Sequence, residues 1–137
     1  NLKDYQGAIS DYDKALKIDP NFAMAYNNRG LARNNLKDYQ GAISDYDKAI
    51  KIDPNYADGY VNRGSARSKL KDYQGAISDY DKALKIDSND AITYAGRGNA
   101  RYDLKDYQGA ISDYDKAIKI DPNNALAYYN RGVARDD

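Results

Sequence analysis

LKDYQGAISDYDKA, residues 2–15, returns letter for letter from Leu36, Leu70 and Leu104, so a 34-residue period runs through the whole 137-residue chain. A period of this size marks a solenoid, in which each unit buries its apolar face against its neighbours and not within itself. In the second copy Leu36, Tyr39, Ala42, Ile43, Tyr46, Ala49 and Ile50 fall three or four apart with Lys, Gln, Ser and Asp between them. That spacing predicts one amphipathic helix, here called B. Asp38 is placed to cap its first turn, and Asp47 precedes Lys51 by one helical turn, the favourable order for an ion pair.

Each copy runs on into IDPN or a variant of it, at Ile18–Asn21, Ile52–Asn55, Ile86–Asn89 (Ser88 replacing Pro) and Ile120–Asn123. Asp followed by Pro reads as a helix stop and a new N-terminus, with Pro in the first turn of the next helix. A second helix, A, follows, for example over Ala23–Asn34. Gly30, Gly64, Gly98 and Gly132 on A, with Ala42, Ala76 and Ala110 on B, let the paired helices approach closely.

Lys and Arg together number 21, as do the acidic residues, all of them Asp, and neither sign forms a block. Nucleic acid and anionic membrane, which need a basic face, are poor partners for such a chain. Cys, His and Trp are absent, which removes disulfides, thiol chemistry, imidazole bases and Cys/His metal sites together. No nucleophile and base can be assembled, so the expectation is a non-enzyme with no catalytic residues, no metal and no cofactor. Asp11-Tyr12-Asp13-Lys14 starts like a calcium loop but lacks the later ligands and the turn Gly, and Gly96-Arg97-Gly98 lacks the third Gly and the strand of a nucleotide fingerprint. No apolar run reaches the roughly 18 residues of a membrane span, and no signal peptide opens the chain. A start at Asn1 suggests processing or a fragment, and the compartment stays open.

An A helix with an aromatic at Tyr26 and Gly30, a B helix with Tyr39, Ala42, Tyr46 and Ala49, then Asp53-Pro54, repeated at 34, resembles the tetratricopeptide repeat over the whole chain. The resemblance implies an all-α, right-handed α-solenoid of antiparallel helix hairpins, eight helices in all. It divides the single array into helix B of a preceding repeat (1–22), whole repeats at 23–56, 57–90 and 91–124, and helix A of a following one (125–137). Two features depart from the family. Lys3, Lys37, Lys71 and Lys105 stand where the turn between A and B usually has Gly, and Arg33, Arg67, Arg101 and Arg135 replace a late aromatic of A. With Arg29, Arg63, Arg97 and Arg131 these give two Arg per A helix, expected to bridge to Asp such as Asp38 or Asp45 on B in preference to binding an anion.

The B helices are constant apart from Leu/Ile exchanges at 16, 50, 84 and 118, whereas A varies at the positions of Met24, Asn27, Leu31 and Asn34, which share one face. In the family, helix A lines the concave surface, so the varied stripe is expected to line a groove that takes a peptide or protein segment. The groove residues are Asn27, Asn28, Leu31, Val61, Asn62, Ser65, Asn99, Tyr102, Tyr129 and Asn130. Asn28, Asn62 and Asn130, with Gly96 breaking the series, resemble the asparagine row of O-GlcNAc transferase repeats, and an amide can hold a peptide backbone or satisfy its own neighbours. The carboxylate clamp of chaperone-binding members is not carried over. Of its five positions, Asn27, Leu31, Ile92 and Gly96 depart from the basic and amide residues required and only Asn62 matches, so no tight binding of acidic chaperone tails is expected. The alternative is structural: open stacking faces at both ends invite head-to-tail association into a long solenoid filament.

Overall fold

The computed structural model describes residues 4–137, so Lys3, the first of the four turn lysines, lies outside the described residues. Among the described residues there are eight helices and no strand: α1 (Tyr5–Ile18), α2 (Ala23–Asn35), α3 (Tyr39–Ile52), α4 (Ala57–Lys69), α5 (Tyr73–Ile86), α6 (Ala91–Asp103), α7 (Tyr107–Ile120) and α8 (Ala125–Asp136). Odd-numbered helices are the B helices and even-numbered ones the A helices.

Leu36 falls outside the B helix predicted to include it, because the turn between α2 and α3 is made by Leu36, Lys37 and Asp38. Lys37, Lys71 and Lys105 all take φ 64°, the left-handed region. That conformation lets the Lys37 N–H reach the Asn34 carbonyl at 3.0 Å and the Asp38 N–H reach the Arg33 carbonyl at 2.9 Å, closing the end of α2. Asp38 then opens α3 with its carboxylate, which accepts from the Gly41 N–H at 3.0 Å. A Cβ on Gly41 would lie 2.1 Å from that carboxylate, which accounts for Gly at this point in each copy. Because a left-handed residue without Gly costs on the order of 1 kcal/mol, Lys71→Gly should raise stability by about 0.5 to 1 kcal/mol, read as a higher urea midpoint with unchanged slope.

The second joint differs from its sequence reading. Pro54 sits in the turn ahead of α4 and not in its first helical turn. The Tyr56 N–H donates to the Asp53 carbonyl at 3.1 Å, which puts Pro54 second in a four-residue turn, where its fixed φ belongs. Ahead of α6, where Ser88 replaces Pro, Asp90 compensates: its carboxylate accepts from the Ile92 N–H at 3.1 Å, a cap that Phe22 and Tyr56 do not supply.

Packing repeats with the sequence. Tyr46 is buried with Ala42 of its own helix and Ala66 of α4; Tyr80 is buried with Ala76 and Ala100, and Tyr114 with Ala110 and Ala134. Gly30 lies flat on the Tyr46 ring, where an added Cβ would come within 2.6 Å, and Gly64 and Gly98 lie likewise on Tyr80 and Tyr114. Each of α2, α4 and α6 packs on the B helices before and after it and touches the next A helix, whereas among the described residues B helices do not meet. Contact along one side only makes the stack curl, with the A helices on the inside.

Candidate functional site

The residues that never vary are consumed by the framework. Arg29 of α2 donates through Nε (3.0 Å) and Nη2 (2.6 Å) to both oxygens of Asp45 on α3, while its Nη1 reaches back to Asp13 on α1 at 2.6 Å. Arg33 adds a second guanidinium to Asp45 at 2.8 Å. The same set recurs as Arg63 and Arg67 on Asp79 and as Arg97 and Arg101 on Asp113. These three carboxylates have 0% solvent exposure. Hydrogen bonds to Asp45 raise the Arg29 guanidinium above its ordinary pKa, so the charge is fixed under all working conditions.

Two details depart from the sequence reading. Asp38 caps α3 and Asp45 takes the arginines. Asp47 receives Arg63 of the next helix at 2.6 Å, and among the described residues no Asp47–Lys51 pair forms. The backward reach to Asp13, Asp47, Asp81 and Asp115 was missed, although Arg29, Arg63 and Arg97 each stand sixteen residues from an Asp on either side and Arg131 sixteen after Asp115. Tyr26 is held between Arg29 and Lys48, both about 5.5 Å from its centroid, with equivalents at Tyr60 and Tyr94. Cation–π contact of this kind accounts for the constant Tyr.

The varied residues are exposed to different degrees. Met24, Leu31, Ile92, Asn99, Leu126 and Tyr129 are exposed, Tyr129 at 69%. Asn28, Val61, Asn62, Ser65, Tyr102 and Asn130 are half-buried. Asn27 is buried, 3% exposed, because its side-chain oxygen accepts from Asn62 Nδ2 at 2.9 Å. A second amide bond joins α8 to α6, from Asn130 Nδ2 to Asn99 Oδ1 at 3.1 Å, and the Tyr114 hydroxyl donates to the same oxygen at 2.7 Å. Burial pushes the Tyr114 phenol up to about 12. Tyr102 donates its hydroxyl to Asp137 and sets its ring 5.4 Å from that of Tyr107, at the far end of the inner face.

Amide bonds thus tie α2 to α4 and α6 to α8. Between α4 and α6 the place of the donors Asn62 and Asn130 is taken by Gly96, which has no side chain to donate, and the face deepens there into a depression of about 580 Å³. Its lining includes Val61, Asn62, Ser65, Ile92, Asn99 and Leu126, so the structure brings four of the ten expected groove residues, Val61, Asn62, Ser65 and Asn99, to one place. A smaller hollow of about 320 Å³ near the C-terminal end collects Asn99, Tyr102, Asn130 and Val133. Asn27, Asn28, Leu31 and Tyr129 line neither hollow.

Comparison with known proteins agrees with this architecture. A family model described as TPR repeat matches residues 2–37 and 98–135, and one described as tetratricopeptide repeat matches 23–56 and 57–90. No curated protein matches the sequence. Among solved structures, MamA is similar with a TM-score of 0.92 and 29% identity, over 97% of this chain and 78% of that one. The TPR domain of Arabidopsis OM64 is similar with a TM-score of 0.82 and 31% identity, over 83% and 94%. The first TPR of Spaghetti (RPAP3), bound to the HSP90 peptide SRMEEVD, gives a TM-score of 0.82 and 28% identity over 83% and 90%.

Proposed function

Because the chain belongs to the tetratricopeptide repeat family, we propose that it is a non-catalytic scaffold that holds an extended peptide segment along the inner face of its A helices. The observation that carries this reading is the division of labour within helix A: constant side chains are spent on hairpin contacts, while varied ones such as Ile92 and Tyr129 stay open to solvent. A surface varied in this way can discriminate among partners without disturbing the stack. The bound peptides of RPAP3, SRMEEVD and, for its second TPR domain, SGPTIEEVD, are acidic. Here Leu31, Ile92 and Gly96 stand where basic or amide clamp residues would be needed, and Asn27 is already engaged by Asn62, so the segment proposed is neutral.

The test is selection from a random-peptide phage library on the immobilised chain. Neutral segments should be enriched, and Asn62→Ala combined with Tyr129→Ala should cut their retention at least about tenfold, since it removes one backbone-bonding amide and one exposed aromatic. Failure to enrich any segment, or equal retention by the double variant, would sink the reading.

A second reading, head-to-tail association, has its own observation. Among the described residues nothing lies within 4 Å of a Cβ built on Gly132 of α8 and Arg131 pairs with Asp115 alone, whereas its counterparts also hold an Asp of a following B helix. Asp11, the counterpart of Asp45, is 79% exposed on α1. The α8 face of one copy therefore complements the α1 face of another, as it would a further repeat of a longer chain. Light scattering of the 137-residue chain decides for this sequence: mass that grows with concentration supports stacking, and a constant monomer mass removes it.

A further inference from the structure

The depression between α4 and α6 carries more than a general groove, because the third repeat lacks, at Gly96, the asparagine that stands at this point in the other copies. Ala95 and Gly96 stand where the other copies have Asn27-Asn28, Val61-Asn62 and Tyr129-Asn130. At Gly96 an added Cβ would lie 3.0 Å from Tyr80 Cζ and 3.1 Å from its hydroxyl, so the missing side chain uncovers the phenol end of a tyrosine that is otherwise buried.

Beside it, Ser68 Oγ is shut off from solvent with no hydrogen-bond partner. Ser68 is near enough to the Tyr80 hydroxyl to pull its pKa down against the larger effect of burial, yet the two do not meet hydrogen-bond geometry. The floor therefore offers the Tyr80 hydroxyl beneath Gly96, with the unpartnered Ser68 hydroxyl buried behind it. Val61, Ile92 and Leu126 supply apolar walls, and Lys69 and Asp103 at the rim are opposite in sign, which favours neither an anionic nor a cationic occupant.

We propose that this depression is a specificity subsite for a single tyrosine side chain of the bound segment: the ring lies among Val61, Ile92 and Leu126 and the phenol hydroxyl bonds the Tyr80 hydroxyl, which Ser68 backs from behind. Tyrosine fits because it brings a rigid apolar body and one neutral polar tip, ordered at little entropic cost. The inference rests on the groove reading and narrows it to a side-chain class.

The test uses small probes, so its failure and that of the groove reading are separable. The full chain, labelled with nitrogen-15, is titrated with p-cresol and with toluene. p-Cresol should move the amide signals of Ser65, Ala95, Gly96 and Asn99 and bind about fivefold more tightly than toluene, the difference one hydrogen bond makes. Gly96→Asn, which restores the residue of the other copies, should abolish those shifts while the spectrum stays dispersed. Gly96→Ala gives the same reading in a milder form. Ser68→Ala should keep p-cresol binding and reduce its advantage over toluene. Shifts scattered over the surface, shifts that survive both Gly96 variants, or toluene binding as well as p-cresol to the parent chain would each overturn the proposal.

Discussion

Asp79→Asn is expected to destabilise the chain by about 3 kcal/mol, a large share of the 5 to 15 kcal/mol that holds an ordinary domain together. Asp79 is fully buried and lies between two guanidiniums: Arg63 meets it at 3.0 and 2.6 Å and Arg67 at 2.9 Å. Neutralising it leaves two positive charges facing each other where water has limited access. The amide nitrogen of Asn would also turn a donor toward donors. Part of the loss is relieved because the Arg67 side chain keeps 27% of its exposure, which places the figure at the low end for a broken buried pair. Asp47→Asn is the matched control. It removes a partner of the same Arg63, but one that is 51% exposed, so the loss should stay below about 1 kcal/mol. Urea unfolding followed by circular dichroism measures both. Equal losses would show that burial of the carboxylate contributes nothing.

Gly30→Leu should cost about 3 kcal/mol, whereas Gly132→Leu should be neutral or slightly stabilising. The two glycines occupy one position of the repeat and differ only in what lies over them. A Cβ at residue 30 would come within 2.6 Å of the Tyr46 ring, and nothing lies within 4 Å at residue 132. The Tyr46 ring cannot swing aside, because Ala42 and Ala66 close around it and its exposure is 0%. Accommodating Leu would mean parting α2 from α3. At residue 132 the same exchange keeps only the helix-propensity gain of replacing Gly, roughly 0.8 kcal/mol. Thermal unfolding of the two variants in parallel separates packing from propensity, and a similar shift in both would refute the packing account.

The framework was legible in the sequence because its causes recur at one spacing. A close approach of A to B at Gly30, Asp38 as a cap and arginines of A on an Asp of B could each be inferred from a pattern seen four times, and the family resemblance marked Lys37 as standing in a turn that favours Gly. What escaped was whatever joins one hairpin to the next. The bond from Asn62 to Asn27 depends on how far neighbouring A helices slide along each other, which no single repeat encodes. Leu36 was assigned to a helix because it keeps the apolar period, and only the left-handed Lys37 shows why the helix cannot include it. The inner depression was hidden for a related reason. Gly96 registers in the sequence as a gap in an asparagine series, and its effect appears only once the Tyr80 phenol is found beneath it.

The double grip of Arg29, Arg63 and Arg97 has a consequence for how the array melts. Arg63 holds Asp47 behind it and Asp79 ahead, so opening either hairpin strands a charge in its neighbour. Loss of order should therefore spread along the array from the point where it begins, and the cooperative unit of denaturation should exceed the 34 residues of the genetic one.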